Sequence, residues 1–217
     1  QIQRMHHVFD GGFHLDYVKD SRNNDLNVAV NKTMMRIDMD KPLKPGQSFT
    51  FKTKWWYNIN NRLTDGGGRS GSEYFEEDDN FLYTIAQFYP RMAVYNDVEG
   101  WQNKQFLGRG EFTLTFGDFD VNITVPSDHL VAATGELQNA KSILPASKRK
   151  LLEDAKTADA PVIIYSQDEA IEREKTKATD TKTWKFSAKN VRDFGFASSR
   201  KFIWDAMGVK LGGKTVM

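Results

Sequence analysis

Four histidines, His6, His7, His14 and His129, are the side chains with which this sequence could hold a zinc ion. Zinc hydrolysis needs two or three imidazole or carboxylate ligands that converge, commonly as HExxH on one helix face. No histidine here has that spacing. His6 and His14 meet only if the chain turns back at Gly11-Gly12, and adjacent His6 and His7 would point to opposite faces of a strand. Surface or packed histidines are the expected reading, with no metal site. Nucleophilic catalysis finds no cysteine and no GxSxG elbow. Asp118 and Asp120 form a carboxylate pair, but a turn is expected at Gly117-Asp118, where aspartate commonly satisfies backbone donors.

One stretch offers binding chemistry instead. In FLYTIAQFYPRMAVYNDVEGWQNKQFLGRGEF, residues Asn96, Asp97, Glu99 and Gly100 break the chain like a turn. Tyr89, Tyr95, Trp101 and Phe106 surround that break. The stretch reads as a sheet edge with packed aromatics, or as a ligand-facing ledge to which Gln87 and Tyr89 supply polar contacts. An amide such as Gln87 both donates and accepts, and Tyr89 donates from a rigid arm.

Strands must position these residues. Residues 48–59 alternate, with Phe49, Phe51, Thr53, Trp55 and Tyr57 opposed by Thr50, Lys52, Lys54 and Trp56. Residues 26–30 and 33–39 read as two further strands, and Pro45-Gly46 as a turn. EFTLTFGDFDVNITVP reads as an antiparallel hairpin in which Phe112 and Leu114 share an apolar face with Val121 and Ile123. LVAATGEL adds a strand. Residues 60–80, with three consecutive glycines and an acidic run, read as a mobile surface loop that lacks any phosphate-binding signature. Residues 138–180 turn to Lys, Glu and Ala. They predict a short helix from Ser147 with Leu151, Leu152 and Ala155 inward, a strand at PVIIYS, and a second helix. Ser166 and Glu169 make a capping box for that second helix, and Glu169 an i,i+4 pair with Arg173. The fold expected is all-β: a saddle-like β-sandwich of curved, mostly antiparallel sheets, with two short helices in an excursion over residues 138–180.

Composition sets the outer bounds. The 217 residues are 12% aromatic, with a net charge of +1 from 30 basic and 29 acidic side chains. That gives no electrostatic reason to expect nucleic acid. No apolar run reaches the length of a membrane span. The opening QIQRMHHVFDGG is neither an initiator Met nor a signal peptide, so the expectation is that either a targeting segment has been removed or the chain begins inside a longer gene product. Residues 1–217 are expected to form a single domain cut from a larger protein.

Three stretches carry a resemblance: AQFYPRMAVYNDVEGWQNKQFLGRGEF, GDFDVNITVPSDHLVAATGEL and KTWKFSAKNVRDFGFASS. They resemble the amino-terminal domain of M1-family zinc aminopeptidases, nearest to the large members found in Bacteroidetes-type bacteria. The resemblance implies a saddle-like β domain followed by a thermolysin-like catalytic domain that carries zinc, HExxH and a GxMEN loop. None of those motifs is present, so this piece is expected to be inactive and without cofactor, and the zinc to belong to the parent's catalytic domain. The implied partners are that catalytic domain and, in the parent, a peptide substrate. The implied compartment is periplasmic or secreted. In the family a Gln, followed two positions later by Gln or Glu, projects toward substrate. Gln87 matches the first position and Tyr89 occupies the second, where the sequence departs from the family, so the location of the ledge is what carries over. The alternative from another class is a free-standing β-sandwich binding module for protein or carbohydrate.

Overall fold

The computed structural model describes residues 9–65, 68–105 and 114–217. In chain order the strands begin β1 (His14–Asp20), β2 (Asn27–Asn31), β3 (Met34–Asp38), β4 (Phe51–Trp56), β5 (Gly71–Phe75) and β6 (Asn80–Ile85). They continue with β7 (Tyr95–Asn96), β8 (Gly100–Trp101), β9 (Gly117–Pro126), β10 (Leu130–Ala133) and β11 (Glu136–Leu137). Helices α1 (Ala140–Ile143) and α2 (Ala146–Ala155) precede β12 (Val162–Tyr165), and α3 (Gln167–Glu174) follows it. The chain closes with β13 (Thr181–Val191), β14 (Phe196–Ser199), β15 (Trp204–Ala206), β16 (Val209–Leu211) and β17 (Lys214–Val216). The fold is all-β and its strand pairs are antiparallel; the described helices fall inside the expected excursion but are three where two were expected, the one-turn α1 being added ahead of α2. Among the described residues no helix is long and apolar enough to cross a membrane.

The chain divides into two compact units: Gln1–Asn60 with Arg91–Thr115, and Asn61–Pro90 with Phe116–Met217. In the first unit β1 pairs with β4, and Phe51, Thr53 and Trp55 are more covered than Lys52, Lys54 and Trp56. That is the alternation expected of a half-buried strand. β2 and β3 form a hairpin whose tip, Asn31 to Thr33, is clasped by the Gln105 amide. Lys44 O accepts from Gln47 N across Pro45-Gly46, with Gly46 at φ 78°, closing the expected turn.

The second unit holds a three-stranded sheet, β11-β13-β9, and a four-stranded one, β10-β14-β6-β5. Trp184, Phe186 and Ala188 alternate along β13 into a core shared with Ile123, Val131 and Phe194. The chain passes from β10 in one sheet to β11 in the other through Gly135, at φ 88°. A Cβ there would lie 2.4 Å from Ser187 O, so only glycine fits. Ser166 and Glu169 form the capping box of α3. Arg173 instead donates to the Arg200 and Phe202 carbonyls, while Glu169 takes Lys148, so the expected Glu169–Arg173 pair is not the bond formed.

Two readings are corrected here. Gly117-Asp118 is not a turn: both residues belong to β9, and Gly117 stands opposite Val191. The eleven-residue β13 offers pairing that far, and Asp118 accepts from Asn190 N across the bulge after Ala188. Leu114 is half-buried, Phe116 lies exposed under Arg192, and Phe112 lies outside the described residues. Residues 60–80 are not all loop either. Gly71–Phe75 is β5, and the acidic run is its turn into β6, where Lys201 neutralises Asp78 and Lys177 neutralises Asp79.

Candidate functional site

Strand β6 ends at Ile85, directly opposite Phe196, the first residue of β14. The chain leaving β6 therefore lies beside the chain entering β14, and residues 86–90 rest on residues 192–196. Gly195 allows the approach, since a Cβ there would sit 3.3 Å from Ile85 O. Gln87 follows at φ 54°, a left-handed conformation uncommon for a residue with a Cβ. Its half-buried side chain makes no hydrogen bond to any described residue, so the amide can donate and accept. Phe88 meets Phe196 edge-on at 5.4 Å. Tyr89 turns its ring onto Phe119 at 5.8 Å and donates its hydroxyl to Asp193 Oδ1 at 2.8 Å. The same oxygen accepts from Phe194 N at 2.9 Å.

Gln87 and Tyr89 are thus neighbours on one ledge in the second unit. Tyr95 and Trp101 belong to the first unit, where they form an exposed edge-to-face pair at 5.3 Å on the β7–β8 hairpin. Asn96 caps that hairpin by accepting from Val98 N and Glu99 N. Phe106 lies outside the described residues.

The remaining candidates have structural roles. His14 stacks on Trp56 at 3.9 Å beside Asp10, and His6 and His7 lie outside the described residues. Among the described residues no three His, Asp or Glu side chains are grouped to hold a metal. Asp118 and Asp120 flank Lys189, and the Ser187 hydroxyl bond, with Lys189 nearby, holds Asp120 below its usual pKa. A low pKa suits an ion-paired carboxylate and not a general acid.

Sequence reasoning missed a buried polar centre in the second unit. His129 Nδ1 and the Ser198 hydroxyl are 2.9 Å apart, with Asp128 next in sequence. The three residue types are those of a hydrolytic triad, but the arrangement is not. Asp128 bonds Arg200 at 3.0 and 3.2 Å and the Ala178 amide, and the Arg200 guanidinium also donates to Asn80. Burial works to raise the Asp128 pKa, yet the bonds from Arg200 and Ala178 hold it low. Burial, with Arg200 adding to it, pushes His129 down to about 4, so the ring is neutral. Ser198 is only 2% exposed and cannot meet a substrate. Asp193 was also missed, because its spacing from Tyr89 in sequence carries no local signal. Compared with protein-family models, curated proteins and solved structures, the chain matches none.

Proposed function

We propose that this chain is the non-catalytic amino-terminal domain of an M1-family zinc aminopeptidase, lining the substrate cleft with Gln87 and Tyr89. On this reading it packs against a catalytic domain of the same polypeptide, which carries the zinc and its chemistry. The observation that supports it most is convergence. The third of the stretches that carry the resemblance lies 45 residues beyond the second in sequence, yet β9 runs beside β13 and β10 beside β14, while Tyr89 of the first stretch meets Phe119 of β9 and Asp193 ahead of β14. A backbone held in a sparsely populated conformation, as at the half-buried Gln87, is a common mark of a ligand site. Gln87 would orient a peptide through its amide, and the Tyr89 ring would form a wall of the cleft.

The codons after residue 217 test this directly. A downstream HExxH agrees with it, and an immediate stop codon sinks it. With the full gene product, Gln87→Ala should raise KM on an aminoacyl chromogenic substrate about threefold to tenfold and change kcat less. The 217-residue chain alone should release no chromophore above buffer, with or without added zinc. Turnover that a chelator abolishes and zinc restores would contradict that expectation.

A second reading, a binding module for carbohydrate or protein, draws on the Tyr95–Trp101 pair, residues that are 65% and 56% exposed. Calorimetric titration with oligosaccharides, using Trp101→Ala as control, separates the two.

A further inference from the structure

We infer that Asp193 is the positioning residue of the Gln87–Tyr89 ledge, so that ligand affinity there runs through a carboxylate 104 residues distant from Tyr89 in sequence. The inference rests on the reading of that ledge as a ligand site. Asp193 Oδ1 is held on one side by the backbone amide of Phe194, which is 1% exposed and part of the core. It receives the Tyr89 hydroxyl on the other side at 2.8 Å. Phe119 closes the ring of contacts, meeting Tyr89 at 5.8 Å and Phe194 at 6.1 Å. Tyr89 is therefore pinned at both its ring and its hydroxyl by groups whose own positions the core decides.

Gln87 stands two residues upstream, in a left-handed conformation that no hydrogen bond from its side chain to a described residue maintains. Such a conformation persists only where the surroundings over-determine it. The pinned Tyr89 and the close passage of Gly195 beneath Ile85 O are two such constraints. A hydrogen bond to a carboxylate is stronger than one to a neutral acceptor, so Asp193 holds the phenol better than a backbone carbonyl would. Releasing the phenol frees the Tyr89 ring to rotate and lets the Gln87 amide lose its aim. The expected consequence is weaker ligand binding while the fold remains intact, because the bond lies at the ledge and not within β6 or β14.

The test has two arms. In this chain, carbon-13 labelling of tyrosine rings allows the Tyr89 resonance to be followed in Asp193→Ala. A shift of that signal, with the other tyrosines unmoved, supports the inference, and an unchanged Tyr89 signal overturns it. In the full gene product, Asp193→Ala should raise KM about threefold to tenfold, with kcat falling by less than KM rises. Asp193→Asn keeps an acceptor oxygen and should return KM to within about twofold of wild type. Tyr89→Phe combined with Asp193→Ala should be no worse than Asp193→Ala alone. Multiplicative effects, or a KM untouched by Asp193→Ala while Gln87→Ala raises it, overturn the inference. A wild-type gene product without turnover overturns the peptidase reading only, and the ring measurement then decides the role of Asp193.

Discussion

His129 and Arg200 show what a single buried polar side chain costs when its partners change. The His129 ring faces the Ser198 hydroxyl, with Arg200, Asp128 and Tyr83 around it. Its pKa falls from 6.5 to about 4 on folding, so the unfolded chain binds the proton more tightly. Stability from this group is complete above pH 6.5 and is lost as the pH falls toward 4, by about 3 kcal/mol at most. Denaturant titrations at pH 7.5 and 4.5 should therefore show a smaller acid loss for His129→Asn than for wild type. Equal losses would mean that the ring is protonated in the folded state without penalty. Arg200 is 7% exposed and serves both Asp128 and Asn80. Arg200→Ala leaves the part-buried Asp128 carboxylate and Asn80 without their cation and should cost about 2–4 kcal/mol, somewhat less than a fully buried pair. A loss below about 1 kcal/mol would show that water takes the place of the guanidinium.

Among the elements, the passage between the two sheets of the second unit depends on Gly135. Its φ of 88° and its 2.4 Å Cβ approach to Ser187 O make any side chain there both strained and obstructed. Gly135→Ala should destabilise the chain by at least about 2 kcal/mol, read as a shift in the urea midpoint at unchanged slope. An unchanged midpoint would show that β11 can leave β13 without loss. Gly208 has a similar role beyond β15: its amide donates to Ala155 O at the end of α2, and a Cβ would meet Lys156 O at 2.3 Å. Both glycines stand where two elements approach more closely than a methyl group permits.

At the scale of the molecule, the two units differ in the apolar side chains that their described residues bury. Among the described residues Val18 is the buried apolar side chain of the first unit, whereas the second holds Trp184, Phe194, Ile164 and the rest of the core. Local stability follows buried apolar contact, so the units should open at different free energies. In native-state hydrogen exchange the amides of β1–β4 and β2–β3 should exchange at lower denaturant than those of β9–β13. A single protection level across both units would refute this, and would show that the first unit draws its stability from elsewhere.

The sequence by itself determined the features that short-range physics controls. The two-residue period of residues 51–56 assigns buried and exposed faces without any knowledge of partners. Ser166 and Glu169 start α3 through bonds that span three residues, and Pro45-Gly46 makes its turn from its own dihedral limits. The all-β class follows from adding such signals. The tertiary structure alone decided which strand each edge meets. Gly117-Asp118 has the composition of a turn, and became strand because β13 supplied pairing bonds at that point. Asp128 found Arg200, and Tyr89 found Asp193, across 72 and 104 residues. Such pairings are selected by the free energy of the whole packed core, to which local spacing contributes almost nothing. Gln87 and Tyr89 could be singled out from the sequence, but the carboxylate that accepts the Tyr89 hydroxyl could not.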